Sequence, residues 1–155
     1  MGVAQASRNC NIATVEPRSL PETVKVEIEV SRGGLIKWGS KGRVDFLSPV
    51  PCPFNYGAVT GVAGGDGDPL DAVVLGKRLA RGHVGIWPVQ GVIRFEDAGF
   101  VDDKIICAAS PLRNREKLGL LAFFYVYSIF KPLLNRLKRQ QGPTGVRGYT
   151  WRPRA

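Results

Sequence analysis

Gly65-Asp66-Gly67-Asp68-Pro69-Leu70-Asp71 places three carboxylates within six residues of a chain that is poor in acids elsewhere. In 155 residues, 22 Lys and Arg stand against 13 Asp and Glu, for a formal charge of +9. Acids crowded at one turn repel each other. A hard divalent cation relieves that repulsion by taking oxygen ligands while keeping waters and phosphates in its shell. Asp, Gly and Pro are also ordinary turn formers, so the same heptapeptide read alone describes a plain acidic surface turn. It opens onto Leu70 to Leu75, a short apolar run.

Upstream, Thr23 to Val30 alternates cleanly, with Val24, Val26, Ile28 and Val30 on one face and Lys25, Glu27 and Glu29 on the other. That period of two predicts a half-buried strand. Gly33-Gly34 supplies a turn before a second strand from Leu35 to Trp38, and Arg43 to Leu47 makes a third. Pro49, Pro51 and Pro53 exclude a regular central strand there, so residues 51–57 are expected as a shaped loop. Downstream, Val84 to Phe95 reads as a long strand and Lys104 to Ala109 as another.

The pattern changes after Pro111. Leu112 to Leu137 carries Leu118, Leu121, Ala122, Tyr125 and Ile129 at helical spacing, with Phe124 widening the stripe. Pro132 is expected to kink or split this helix. Its uncharged run, Leu118 to Phe130, is 13 residues, short of the roughly 20 of a membrane span, and reads as a buried helix. Strands first and a helix last predict a mainly β fold with α, a barrel carrying a C-terminal helix outside. The chain divides into a loose arm at 1–21, a body at 22–137 and a basic tail at 138–155.

No acid follows Glu116, while Lys117, Lys131, Arg136, Lys138, Arg139, Arg147, Arg152 and Arg154 do. Such a tail suits RNA, anionic lipid or an acidic partner, or reads as a solvated face and a loose end. Cys10, Cys52 and Cys107 are odd in number and form no C-x-x-C pair, which speaks against a disulfide framework and fits a reducing cytoplasm. His83 is the only histidine, so a multi-histidine metal site is excluded. The first 20 residues lack the apolar core of a signal peptide.

Several segments together resemble the soluble inorganic pyrophosphatases of the Mg²⁺-dependent, barrel-forming kind. They are Glu29, Ile36-Lys37-Trp38, Asn55-Tyr56-Gly57, the 65–71 heptapeptide, Pro88-Val89-Gln90-Gly91-Val92, Asp102-Asp103-Lys104 and Phe123-Phe124-x-x-Tyr127. Their order and approximate spacing run from about residue 24 to 130. The resemblance implies a five-stranded, distorted OB-like closed barrel with the site at its mouth, hydrolysis of pyrophosphate to two phosphates with Mg²⁺ (or Mn²⁺), and a homo-oligomer. It implies that Asp66, Asp71 and Asp102 ligate the tightest metal, with Asp71 shared by its neighbour. Asp68 would act as general base on a metal-bridging water. Glu96 falls where an Asp for the substrate-borne metal is usual, and a local insertion makes Asp97 its rival. Lys37, Tyr56, Lys104 and Tyr127 would contact phosphate oxygens, and Glu29 would steady the acidic cluster.

The chain departs from that pattern at four places. Gly39 stands for a glutamate and Cys52 for a tyrosine. Phe46, or Val44 when aligned backward from Asn55, stands for a phosphate-clamping arginine, and Ser128 for a lysine after the helical tyrosine. Losing two phosphate-neutralising charges implies slower hydrolysis or another phosphoanhydride substrate, with compensation open to an arginine of the C-terminal segment. The alternative function is a non-catalytic OB-like binding module for RNA or another polyanion. The concentrated carboxylates favour the enzyme, because a nucleic-acid groove gains nothing from negative charge.

Overall fold

The alternation at residues 23–30 becomes strand β1 (Thr23–Val30), with Val26, Ile28 and Val30 buried and Lys25 and Glu27 exposed. The structure is a computed structural model describing residues 20–38, 44–47 and 50–154. Most of the expected N-terminal arm, with Cys10, Gly39, Arg43 and Pro49, lies outside the described residues, as does the side chain of Phe46. After β1 come β2 (Ile36–Trp38), β3 (Val44–Leu47), β4 (Asn55–Ala63), β5 (Pro69–Val74), β6 (Val84–Asp97), β7 (Phe100–Val101) and β8 (Lys104–Cys107). Helix α1 (Asn114–Leu137) and strand β9 (Gly145–Trp151) complete the order.

Strands β1, β4, β5, β8 and β6 pair in that sequence, and β6 pairs back to β1, closing a five-stranded barrel. Only β5 and β8 run parallel among these pairs, with Asp71 opposite Lys104. Strands β2 and β3 form a separate hairpin. Residues from all five barrel strands fill the interior, among them Val26, Val59, Ala72, Val92 and Ile105. Alternate residues of the same strands, Val73, Ile93, Phe95 and Ile106, face outward and are covered by Leu120 and Phe124 of α1. Strand alternation therefore gives the barrel two buried sides. Asp71 and Lys104 share the helix-facing side with Val73 and Ile106.

Three expectations need correction. Asn55-Tyr56-Gly57 is not loop but the start of β4, held between β1 and β5, and pairing on both edges outweighs the nearby prolines. Helix α1 is not buried through its apolar run. Leu118 is 68% and Ile129 72% exposed, and the buried face is Leu120, Phe124 and Asn135. The helix is apolar all round, so spacing alone could not choose its inner face. Pro132 does not split it, and Asn135 beyond the proline anchors it to Asp97 at 2.6 Å.

The C-terminal segment is not a loose end either. Strand β1 covers the first half of one β6 edge, at residues 84–88, and β9 covers residues 91–96. A fourteen-residue β6 outruns the barrel, and β9 satisfies the backbone groups that β1 cannot reach. By length and composition α1 is the one helix among the described residues apolar enough to cross a membrane, with 17% of that stretch buried.

Candidate active site

The acidic turn is fixed by its own backbone. Gly64 N donates to Asp68 O at 2.6 Å, and Asp68 N donates to Asp66 Oδ1 at 3.1 Å. Gly67 sits at φ +88, where a side chain would be strained. A Cβ on Gly65 would lie 2.7 Å from Val101 Cβ, so the turn packs tightly on β7 and comes near Asp102. The two halves of the acid set, far apart in sequence, meet for this reason.

A cleft of about 370 Å³ opens between the outer flank of the barrel and α1. Its position under the helix, rather than at the barrel's mouth, follows from the outward-facing side of β5 and β8. Six carboxylates line it, Glu29, Asp66, Asp68, Asp71, Asp97 and Asp102, against four lysines, Lys37, Lys104, Lys131 and Lys138. A negative surplus inside a chain of net +9 is a place for cations.

Lys104 is 1% exposed and ties the set together. Its Nζ lies 2.5 Å from Asp71 Oδ2 and 2.5 Å from Asp102 Oδ1, so those oxygens are at most twice 2.5 Å apart. Lys37 Nζ reaches Asp71 Oδ1 at 3.3 Å and stands 3.7 Å from Glu29 Oε2. Tyr56 donates its hydroxyl to Asp71 Oδ2 at 2.6 Å, and Lys37 lies 5.3 Å above its ring. Tyr127 lines the same cleft from α1, its ring packed against Phe95 and Phe123.

Electrostatics separates the two central acids. Burial alone would raise Asp71, but Lys104 and Lys37, with hydrogen bonds from Lys104 and Tyr56, hold it well below the usual carboxylate range. Burial raises Asp102 to about 6, with Lys104 opposing and the Asp71 charge adding. Burial works against the charged forms of Lys104 and Lys37, yet the neighbouring carboxylates outweigh it and raise both. Burial, followed by the carboxylate charges, drives Tyr56 and Tyr127 far up, so both remain hydroxyl donors.

The two rivals for the further acidic position fall on different sides. Asp97 faces the cleft, accepting from Asn135 Nδ2 at 2.6 Å and pairing with Lys131 Nζ at 3.1 Å. Glu96 points outward and pairs with Arg147 at 2.5 Å. Asp103, between two cleft residues, instead caps Phe95 N at 3.2 Å and pairs with Arg94 at 2.9 Å.

No C-terminal arginine enters the cleft among the described residues. Arg152 donates to the carbonyls of Val89 and Pro21, and Arg154 to that of Leu112. Ser128 donates to Tyr125 O within its own helix, and Val44 is 53% exposed on the β2–β3 hairpin. Cys52 is buried at the cleft wall and Cys107 in the core, both as free thiols. Lys131 and Lys138 are the cleft cations that sequence reasoning missed. For Lys131 the signal was present: Tyr127, Lys131 and Asn135 recur every four residues, on one helical face.

All the acids offer hard oxygen ligands, and six carboxylates face only four lysines in the cleft, so the residue set fits a divalent ion of the Mg²⁺ type. Among the described residues no three acids already converge on one point. Lys104 Nζ holds the place between Asp71 and Asp102.

The fold and the cleft thus define an OB-like barrel whose acidic, lysine-bearing flank suits a metal–phosphate complex. A family model described as inorganic pyrophosphatase matches residues 15–119, and the chain belongs to that family, one of metal-dependent enzymes. The inorganic pyrophosphatase of Brucella melitensis is 38% identical over 110 residues, covering 63% of this chain and 62% of that protein. That of Gluconobacter oxydans is 32% identical over 106 residues, covering 63% and 61%. The chain therefore spans about three fifths of the length of these curated relatives. The crystal structure of the inorganic pyrophosphatase from Thermus thermophilus is similar with a TM-score of 0.68 at 25% identity, covering 92% of this chain and 91% of that one.

Proposed function

We propose that the protein hydrolyses inorganic pyrophosphate to two phosphates in its acidic cleft, with Mg²⁺ as the working cation and Mn²⁺ as a substitute. The observation that carries this reading is the shared contact of Asp71 and Asp102 with one buried ammonium. That spacing suits a cation, and the lysines around it suit an anion. When bound, the divalent ions neutralise the pyrophosphate and acidify the attacking water. Asp66, Asp71 and Asp102 are the residues to hold them.

The remaining work belongs to the chain's own side chains. Asp68 lies exposed on the rim of the cleft and accepts the proton of the attacking water. Lys37 and Lys104 neutralise phosphate oxygens, and Tyr56 and Tyr127 donate hydroxyl hydrogen bonds to them. Glu29, 3.7 Å from Lys37, keeps that ammonium over the cleft. A groove bearing six carboxylates is poorly suited to RNA, so the cleft favours hydrolysis over the binding-module reading. The exposed Leu118, Ile129, Leu133 and Leu137 on α1 support burial against a second copy, hence a homo-oligomer. The free thiols Cys52 and Cys107 support a reducing compartment such as the cytoplasm.

The test is phosphate release from pyrophosphate at millimolar Mg²⁺, repeated with Asp68→Asn. Release that disappears on chelation and falls at least a hundredfold in the variant supports the reading. A folded wild type that releases no phosphate with either metal refutes it.

A further inference from the structure

Helix α1 presents Tyr127, Lys131 and Asn135 toward the barrel at intervals of four residues; Tyr127 and Lys131 line the cleft, and Lys131 and Asn135 both contact Asp97. Lys131 is held rather than solvated: its side chain is 14% exposed and its Nζ lies 3.1 Å from Asp97 Oδ2. A lysine at a helix surface ordinarily leaves its ammonium in water, because fixing its long stem costs rotamer freedom. The other oxygen of the same carboxylate accepts from Asn135 Nδ2 at 2.6 Å and from Thr144 Oγ1 at 3.4 Å. Asp97 is therefore engaged on both oxygens by its own chain, as Asp71 is, whereas Asp66 and Asp68 stand exposed at the rim.

The cations of the cleft fall on two walls. Lys37 and Lys104 belong to the barrel wall and converge on Asp71. Lys131 and Lys138 belong to the helix wall. An anion with two phosphoryl groups has charge to place on both walls at once.

We propose that Lys131 binds a phosphate oxygen of the substrate on the helix wall, and that Asp97 is its positioning residue. This rests on the pyrophosphate reading above. The Asp97 carboxylate holds the ammonium at the edge of the cleft before substrate arrives, so little ordering remains to be done on binding. Asn135 and Thr144 hold that carboxylate in turn.

The experiment measures methylenediphosphonate, a non-hydrolysable pyrophosphate analogue, by calorimetry at millimolar Mg²⁺, alongside phosphate release and Mg²⁺ or Mn²⁺ affinity without phosphate. Lys131→Met and Lys131→Gln weaken analogue binding about tenfold to a hundredfold, the range for one charge-assisted contact. Lys131→Arg stays within a few-fold of wild type, and Arg136→Met, on the exposed side of α1, leaves binding unchanged. Asp97→Asn weakens the analogue several-fold in the wild type and adds little further loss in Lys131→Met, the readout that shows Asp97 acting through Lys131. Analogue affinity and KM equal to wild type in both neutral Lys131 variants, in a wild type that hydrolyses pyrophosphate, overturns this inference alone. So does an Asp97→Asn loss as large in Lys131→Met as in the wild type. A wild type that neither binds the analogue nor releases phosphate overturns the hydrolytic reading and this inference together.

Discussion

Asp71 and Lys104 stand opposite each other on the parallel strands β5 and β8, and their side chains meet at 2.5 Å over the outer flank of the barrel. Parallel pairing sets them side by side, and the alternation of both strands aims them at the helix. Asp102, two residues before Lys104, comes to the same ammonium from the β7–β8 turn. A carboxylate pair that looks scattered in sequence is thus brought within one cation's reach by strand register.

Removing that cation is expected to be costly. Lys104→Met leaves two partly buried carboxylates facing each other, and loss of one partner of a buried charge pair typically costs about 3–5 kcal/mol. Urea unfolding in chelator should show the loss. Millimolar Mg²⁺ should raise Tm more in the variant than in wild type, because an added cation replaces the missing ammonium. Equal Tm values for the two proteins in chelator would contradict this picture.

Asp68→Asn tests chemistry with little risk to the fold, since the side chain is exposed and its backbone, not its carboxylate, fixes the turn. General-base loss typically lowers rates about 10²–10⁴-fold. The expected result is a drop of that size in kcat with Tm and metal affinity little changed. A rate within a few-fold of wild type would assign the proton elsewhere.

Asp102 predicts a pH dependence of stability. Its native value, raised to about 6 from 3.8, means that the folded protein keeps a proton which the unfolded chain releases between those values. The resulting stabilisation is fully present below 3.8 and is lost as pH rises through about 6. In chelator, Asp102→Asn should flatten the stability curve in that window and leave the protein more stable than wild type near neutrality. An unchanged slope between pH 4 and 6, measured by urea unfolding, is the result that would count against it.

The two faces of α1 should respond oppositely to truncation. Leu120→Ala removes a fully buried side chain between helix and barrel, a change that costs about 2–5 kcal/mol. Leu118→Ala, at 68% exposure, should stay within about 0.5 kcal/mol for the isolated chain. If Leu118→Ala proves the more damaging, and does so in a concentration-dependent way, its face is covered by a second copy.

Much of the barrel could be read from local pattern. The alternation of residues 23–30, the long apolar stretch in β6 and the acidic turn each appear where period and turn chemistry place them. Strand β4 was hidden because glycine, threonine and nearby prolines weaken its local signal, while pairing with β1 and β5 holds it together. The inward face of α1 was illegible for a different reason. Leu118 and Leu120 are equally apolar, and only the position of the barrel selects between them. Lys131 carried a signal in its four-residue spacing from Tyr127, but a lysine on a helix is ordinarily solvent-facing, and the carboxylate that holds it lies 34 positions earlier.

By itself the sequence determined the ingredients: a β-rich chain, a carboxylate turn, the Asp102-Asp103-Lys104 motif, and membership of a family through residues 15–119. Only the tertiary structure decided that Asp97 and not Glu96 faces the cleft, that Lys131 rather than a C-terminal arginine joins it, and that the basic segment ends in a paired strand. The physical reason is range. Periodicity and turn chemistry act over a few residues and are written locally, whereas charge acts between groups that only strand register and helix docking bring within a few ångströms.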